Sequence, residues 1–205
     1  MSPSVIIDAG PALNFFSINK ERLLISVTGR LKTTETVEAE VLGKADRDPR
    51  FKACAPVWRR VWDKYLEVLA DDADDADLSR AVTRLSGLPM PSRSRLAKDL
   101  GELMVIAHAA VFAEAGHDVT VLIDDDAGQR IAANEAVRLR RLPAAGPRVG
   151  NLYLLTTADV LQRAAGTEYF RNKAEMRKLY DRLRALDDGL IPIGSTNLLS
   201  DDVWR

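Results

Sequence analysis

The chain has 205 residues, 46% of them hydrophobic, and a formal charge of −1, which allows one substantial core with an appendage but not two full domains. Its single cysteine, Cys54, excludes an internal disulfide, and no apolar stretch approaches the roughly 20 residues of a membrane helix. The start, Met-Ser-Pro-Ser-Val, has neither a basic leader nor a long apolar run, so a cytoplasmic protein is expected.

Ser4 to Ile7 reads as a short buried strand, and Pro11 suits the first turn of a helix through Phe16. Thr33 and Thr34 are suited to cap a helix from Glu35 past Leu42, with Glu35 and Glu38 in the first turn where negative charge is favourable. Asp48-Pro49 ends that helix, on which Val37, Val41 and Lys44 share a stripe and Glu40 turns to the same side. Pro56 opens a helix through Trp58 and Trp62, and Tyr65 to Leu69 reads as a second strand. Trp58, Trp62 and Tyr65 are spaced along one helix face, which points to core packing, with RNA stacking as the alternative. The five aspartates within 71–77 form an exposed loop or helix entry before Leu78 to Leu85, without the spacing of a calcium loop.

Gly87 to Ser94 is a flexible connection, and Leu96 to Glu114 is a strongly apolar helix stopped at Gly116, on which Asp99 and Glu102 share a face. His108, among alanines, reads as a packed core residue and His117 as a surface loop residue. Val119 to Ile123 is the clearest strand, followed by Asp124-Asp125-Asp126 and a helix from Ala127 to about Leu139. Asn151 to Leu155 is a final strand, Thr157 to Ala165 a helix, and Glu168 to Leu186 a charged amphipathic helix. Leu179, Leu183 and Leu186 form a stripe on the last helix, which is expected to pack on the core, with support of a homodimer as the alternative. The alternation of strand and helix predicts an α/β fold with a largely parallel central sheet flanked by helices.

Four acidic positions stand at the edges of apolar segments: Asp8, Glu40, Glu102, and Asp124 with Asp125. A parallel sheet carries its ligand sites beyond the carboxyl ends of its strands, where distant segments meet. Carboxylates brought together there raise one another's pKa or recruit a cation. Oxygen-only ligands favour Mg²⁺ or Mn²⁺, and phosphoryl chemistry is the usual use of such a site. Taken singly, Asp8 could instead cap the helix at Pro11, and Asp124 or Asp126 the helix from Ala127. Two basic groups complement the acids: Arg130, Arg138, Arg140, Arg141 and Arg148, and Arg93, Arg95 and Lys98. Such clusters hold phosphates or form a solvated face.

Val5-Ile6-Ile7-Asp8-Ala9-Gly10-Pro11-Ala12-Leu13, Val37-Glu38-Ala39-Glu40-Val41, Leu100-Gly101-Glu102-Leu103-Met104-Val105-Ile106-Ala107 and the segment from Leu122 to Ala132 follow one another in the order of the motifs of PIN-domain nucleases. The chain resembles that family, which includes the VapC-type toxins of bacterial toxin-antitoxin modules, and looks like its subgroup with a Gly-Glu third motif. The likeness spans residues 4 to 166. It implies a PIN-like nuclease core over 1–166, to which 167–205 adds a C-terminal helical extension. It also implies a ribonuclease whose Mg²⁺ or Mn²⁺ is held by Asp8, Glu40, Glu102 and the Asp124/Asp125 pair, and an antitoxin protein as partner. Gly10 stands where the family often has Ser or Thr, and three consecutive aspartates leave open which one faces the metal.

The expected reaction is hydrolysis of an RNA phosphodiester by metal-activated water, which needs no catalytic histidine. Arg95 and Lys98, beside Glu102, are expected to contact RNA phosphates. Arg130 either contacts RNA or pairs with the acidic cluster. Two alternatives stand beside this reading. One is a non-catalytic PIN-like module that binds protein or RNA. The other is an aspartyl-nucleophile phosphatase, whose pattern wants a second Asp where Gly10 stands.

Overall fold

The structure is a computed structural model and describes residues 4–142, 148–186 and 190–204. Its centre is a five-stranded, all-parallel sheet of order β3-β2-β1-β4-β5, built from β1 (Ser4–Ile7), β2 (Leu31–Thr34), β3 (Leu66–Leu69), β4 (Val119–Leu122) and β5 (Leu152–Leu155). The expected α/β class and parallel sheet are therefore found. Ile6 and Ile7 on β1 and Val121 and Leu122 on β4 are fully buried, as strands covered by helices on both faces require.

The first half of the chain supplies α1 (Ala9–Ser17), α2 (Glu21–Thr28), α3 (Glu35–Arg47) and α4 (Cys54–Val61). The second supplies α5 (Ala76–Ser86), α6 (Met90–Arg93), α7 (Leu100–Glu114), α8 (Asp126–Arg140), α9 (Thr157–Ala164) and α10 (Lys173–Arg184). Helix α7 is buried nearly all round because it is shared between two apolar clusters. Val105, Ile106 and Ala109 join the sheet core, whereas Leu103, Met104, Ala107 and Ala110 pack on Leu78, Val82 and Met90 of α5 and α6. Met176, Leu179, Tyr180 and Leu183 of α10 belong to the sheet core, so the C-terminal helix packs on it.

Several boundaries differ from the sequence reading, each for a local physical reason. Helix α7 starts at Leu100 rather than Leu96: Asp99 is left-handed (φ 52°), and the buried Arg93 guanidinium donates to the carbonyls of Leu96 (2.5 Å) and Lys98 (2.6 Å), holding that segment in a turn. Asp99 is thus the residue before the helix, not a member of its face. Gly87 to Ser94 is no simple flexible connection, since it contains α6 with Met90 buried. Helix α10 begins at Lys173, where the Asn172 side chain accepts from the Glu175 N–H (2.9 Å), instead of at Glu168.

Helix α4 stops at Val61, and Trp62 turns extended, so Trp62 (58% exposed) and Tyr65 (37%) face solvent while Trp58 is buried against Phe16. The expected common core face of these three residues does not exist. Nor is the whole aspartate run exposed. Asp71 accepts from the Thr36 N–H (2.7 Å) and hydroxyl (2.6 Å) and bonds His108 Nε2 (3.0 Å), fastening the start of α3 to α7. Asp75 caps α5. His108 is packed and His117 exposed, as expected.

Part of the basic composition is structural as well. Buried Glu135 takes Arg84 (2.6 Å) and Arg138 (2.7 Å), and both guanidiniums also reach Glu114, tying α5, α7 and α8 together. Burial alone would raise the Glu135 carboxyl, but the bonds from Arg138 and Arg84 outweigh it and leave it below its ordinary range. Ile6 lies in the middle strand with no exposed surface. Ile6→Ala is expected to destabilise the chain by about 2–5 kcal/mol, read as a lower urea midpoint with unchanged slope.

Candidate functional site

The order β3-β2-β1-β4-β5 reverses direction between β1 and β4, and a doubly wound sheet opens a crevice at that point, beyond the carboxyl ends of those strands. Ile7 pairs with Leu122, the next N–H, of Asp8, bonds Leu122 O (3.0 Å), and the Ile123 N–H bonds Leu155 O (3.1 Å). The ladder therefore delivers Asp8 and Asp124 to the mouth of the same crevice. A cleft of about 300 Å³ lies there, lined by Asp8, Glu40, Glu102, Asp124, Asp125 and Asp126, together with Ala9, Gly10 and Lys44. All five acids singled out in the sequence line it, and Lys44 is the only cation among its lining residues.

Each acid arrives by a different local device. Asp8 follows the buried β1 and precedes α1, whose N-terminus it caps through a long contact with the Gly10 N–H (3.5 Å). Glu40 lies on α3, whose start is fixed by the Thr34 hydroxyl accepting from Val37 N–H (3.3 Å), and it pairs with Lys44 one turn on (3.3 Å). Glu102 sits in the first turn of α7, where the helix dipole favours a carboxylate. Asp125 caps α8 through the Gly128 N–H (2.8 Å).

Asp124 is held by α9. Its Oδ1 accepts from the Thr157 N–H (2.7 Å) and its Oδ2 from the Thr157 hydroxyl (2.5 Å). Thr157 is fully buried. It is a site residue the sequence gave no sign of, because it lies 33 positions from its partner. Lys44 was legible only as a member of the α3 stripe. Its spacing of four from Glu40 was the available signal.

Two glycines leave the room the acids occupy. A Cβ on Gly101 would stand 3.2 Å from Glu40 Oε2 and 3.5 Å from Asp8 Oδ1, so α7 reaches the cleft through its bare backbone. A Cβ on Gly128 would meet Ile123 at 3.0 Å and the Glu102 stem at 3.4 Å. The Gly-Glu pair and the glycine after the aspartates are thus packing requirements of the site.

The electrostatics centre on Asp8, which is 4% exposed and whose Oδ1 is buried without a hydrogen-bond partner. Burial, then the Glu102 carboxylate and to a lesser degree Glu40, push its carboxyl from 3.8 up to about 8, against opposing bonds from the Ala9 and Gly10 backbone. Glu102 is also raised, chiefly by burial and then by Glu40, Asp99 and Asp125, with its own backbone N–H opposing. A bare buried acceptor among like charges is the arrangement that a divalent cation relieves.

The donor set fits a hard cation, being carboxylate oxygen throughout. Among the described residues no three of the acids are already arranged to hold a metal ion. Asp8 and Glu102 accept only from backbone N–H groups beside them and Glu40 pairs with Lys44, whereas Asp125 caps α8 and Asp124 is held by Thr157. A carboxylate has about four acceptor positions, so Asp124 can keep Thr157 and still accept another partner.

The basic candidates lie elsewhere. Arg95 and Lys98 are exposed in the turn before α7, Arg130 is exposed on α8, and none of the three lines the cleft. Arg130 makes no ion pair among the described residues, so the expected pairing with the acidic cluster is not formed. Comparison with protein-family models, curated proteins and solved structures gave no match. Among the described residues no helix is long and apolar enough to cross a membrane.

The raised Asp8 pKa fixes the sign of a pH effect. Between about pH 4 and 8 the native state holds a proton at Asp8 that the unfolded chain has released, so stability falls as pH rises through that window. In EDTA the melting temperature is expected to drop from pH 5 to pH 8, to drop less in Asp8→Asn, and to recover in the parent chain at pH 8 on addition of Mn²⁺. Parallel melting curves for the two proteins would overturn this.

Proposed function

We propose that the chain is a Mg²⁺- or Mn²⁺-dependent ribonuclease of the PIN type, acting at the acidic cleft. The observation that carries this reading is the convergence of Asp8, Glu40, Glu102, Asp124 and Asp125 on one crevice at the reversal point of the sheet, with a buried Asp8 oxygen unpartnered. The choice of RNA and of a PIN nuclease rests on the resemblance of the four motifs, whose acids are the same residues.

When bound, the metal supplies a lowered pKa of water and neutralisation of charge on the phosphoryl oxygens. Asp8, Glu40 and Glu102 are the residues to hold it, with Asp124 contributing while Thr157 keeps it oriented. Glu40 and Glu102 would bind the metal or its waters and orient the attacking water. Lys44 sits beside Glu40 at the cleft wall and is placed to take a phosphate oxygen of the substrate. Activity confined to the cytoplasm and control by a small protein occluding the cleft, as in a toxin-antitoxin module, belong to the same reading.

One observation favours a second reading, a PIN-like module that binds RNA or protein without turnover. No three acids among the described residues stand in an arrangement that already holds a metal ion.

The deciding assay incubates single-stranded RNA with purified protein in Mn²⁺, in EDTA, and with Asp8→Asn and Glu102→Gln variants. Cleavage in Mn²⁺ only, reduced at least 100-fold in either variant, is expected. RNA left intact under every condition, or cut equally by the parent and Asp8→Asn, would sink the nuclease reading. Thr157→Val is expected to weaken Mn²⁺ affinity roughly 10–100-fold, the range seen when an outer partner of a metal ligand is lost, with Thr157→Ser restoring it. Direct Mn²⁺ titration checks this, and unaltered affinity in Thr157→Val would remove Asp124 from the ligand set.

A further inference from the structure

Helix α3 is a wall between two concavities. One flank carries Glu40 and Lys44 into the acidic cleft. The other carries Leu42 and Asp46 into a groove of about 690 Å³ against α4, which runs to Trp62. Trp62 is the most exposed large apolar side chain among the described residues. Its exposure is built rather than incidental. Helix α4 ends one residue earlier, Trp62 is extended (ψ 150°), and the following turn is closed by left-handed Asp63 (φ 63°), whose N–H bonds Leu66 O (3.0 Å).

Cations outnumber acids by one along the groove that leads to this indole. Lys52 and Arg59 line the same groove, are exposed, and have no ionic partner among the described residues. Beyond the turn, exposed Lys64 lies over the Tyr65 ring, 5.0 Å from its centre. Arg47 lines the groove as well, so three cations face two acids there, Asp46 and Glu38, the latter also accepting from the Trp58 indole N–H (2.9 Å). Exposed rings interleaved with cations that form no ion pair match the chemistry of an unpaired polynucleotide, whose bases stack on aromatic faces while its phosphates take the charge. The lining's one excess positive charge and Lys64 beyond the turn favour the polynucleotide over an apolar protein face.

We propose that the α3/α4 groove and the turn Trp62–Tyr65 form a second nucleic-acid contact, holding single-stranded RNA by stacking on Trp62 and by Lys52 and Arg59 at its phosphates. The choice of RNA rests on the ribonuclease reading, and the contact deepens it, because nucleotides flanking the scissile bond would bind on the far side of α3. It requires no metal. Recognition is sequence-tolerant, since every base offers a face to the indole.

The test is fluorescence anisotropy of a labelled 12-nucleotide single-stranded RNA in EDTA, where no cutting occurs, for the full chain and its variants. Binding is expected, weakened about tenfold or more in Trp62→Ala and less in Trp62→Phe. In the double variant Lys52→Gln, Arg59→Gln the dependence on salt should also become shallower. Tyr153→Ala, which removes an exposed ring from the opposite edge strand, serves as the control and should bind as the parent does. Melting temperatures of all variants exclude misfolding as the cause. No binding by the parent, or equal binding by Trp62→Ala, overturns the proposal. Self-association lost in Trp62→Ala while RNA binding persists would do so in favour of a protein-covered face. RNA left uncut in Mn²⁺ but bound through Trp62 would defeat the nuclease reading alone. Cutting that depends on Asp8, without any Trp62 effect on binding, would defeat this inference alone.

Discussion

A carboxyl group buried at the end of the middle strand sets the conditions for everything around it. Asp8 cannot move away from the crevice, because the parallel ladder fixes its backbone against Leu122 and α1 begins at the next residue. Its Oδ1 is buried without a hydrogen-bond partner in the protein, and burying an unpaired carboxylate is costly. The fold therefore either keeps that group protonated or provides a cation for it. Glu102 and Glu40 bring further negative charge to the same place, which favours the proton when no cation is bound and is the reason a cation is proposed. A core selected for stability alone would have had an apolar or amide side chain there.

The rest of the molecule shows the opposite policy toward charge. Glu135 is nearly as buried as Asp8, yet it is met by two guanidiniums. Glu21 is paired with Arg60 (2.6 Å), and Lys32, in the middle of the sheet, is matched by Glu67 on the neighbouring strand (2.6 Å). These three carboxylates each meet a cation, although the second Glu21 oxygen is buried without a partner, whereas Asp8 meets none and has Glu102 and Glu40 as neighbours. That contrast, rather than the number of acids, is what sets the cleft apart from the flanking layers and motivates the proposal of a ligand there.

The strands ending in the key acids were legible because their signals are local. Val5-Ile6-Ile7 before Asp8 and Val119 to Ile123 before Asp124 are short apolar runs closed by a residue suited to start a helix. Strand β2 was hidden for the converse reason. Leu31-Lys32-Thr33-Thr34 is only half apolar, and what makes it a strand is outside it: Glu67 for the lysine charge and the Ile7 carbonyl for the Thr33 hydroxyl (3.0 Å). Helix α2 was missed because it is eight residues long and has no side-chain cap. Trp62 was misread because helical spacing was extended past the point where the backbone turns, and that turn depends on pairing with β3.

By itself the sequence determined the class of fold and the residues at the mouth of the crevice, since periodicity and capping chemistry act over a few positions. It could not determine the environment of those residues. That Asp8 lacks a partner, that Thr157 orients Asp124, that Arg93 bends the entry to α7 and that an indole stands in solvent are decided by contacts between segments far apart in the chain. Local sequence specifies which side of an element is apolar, but the partners that neutralise, orient or uncover a given side chain arrive only when the layers close.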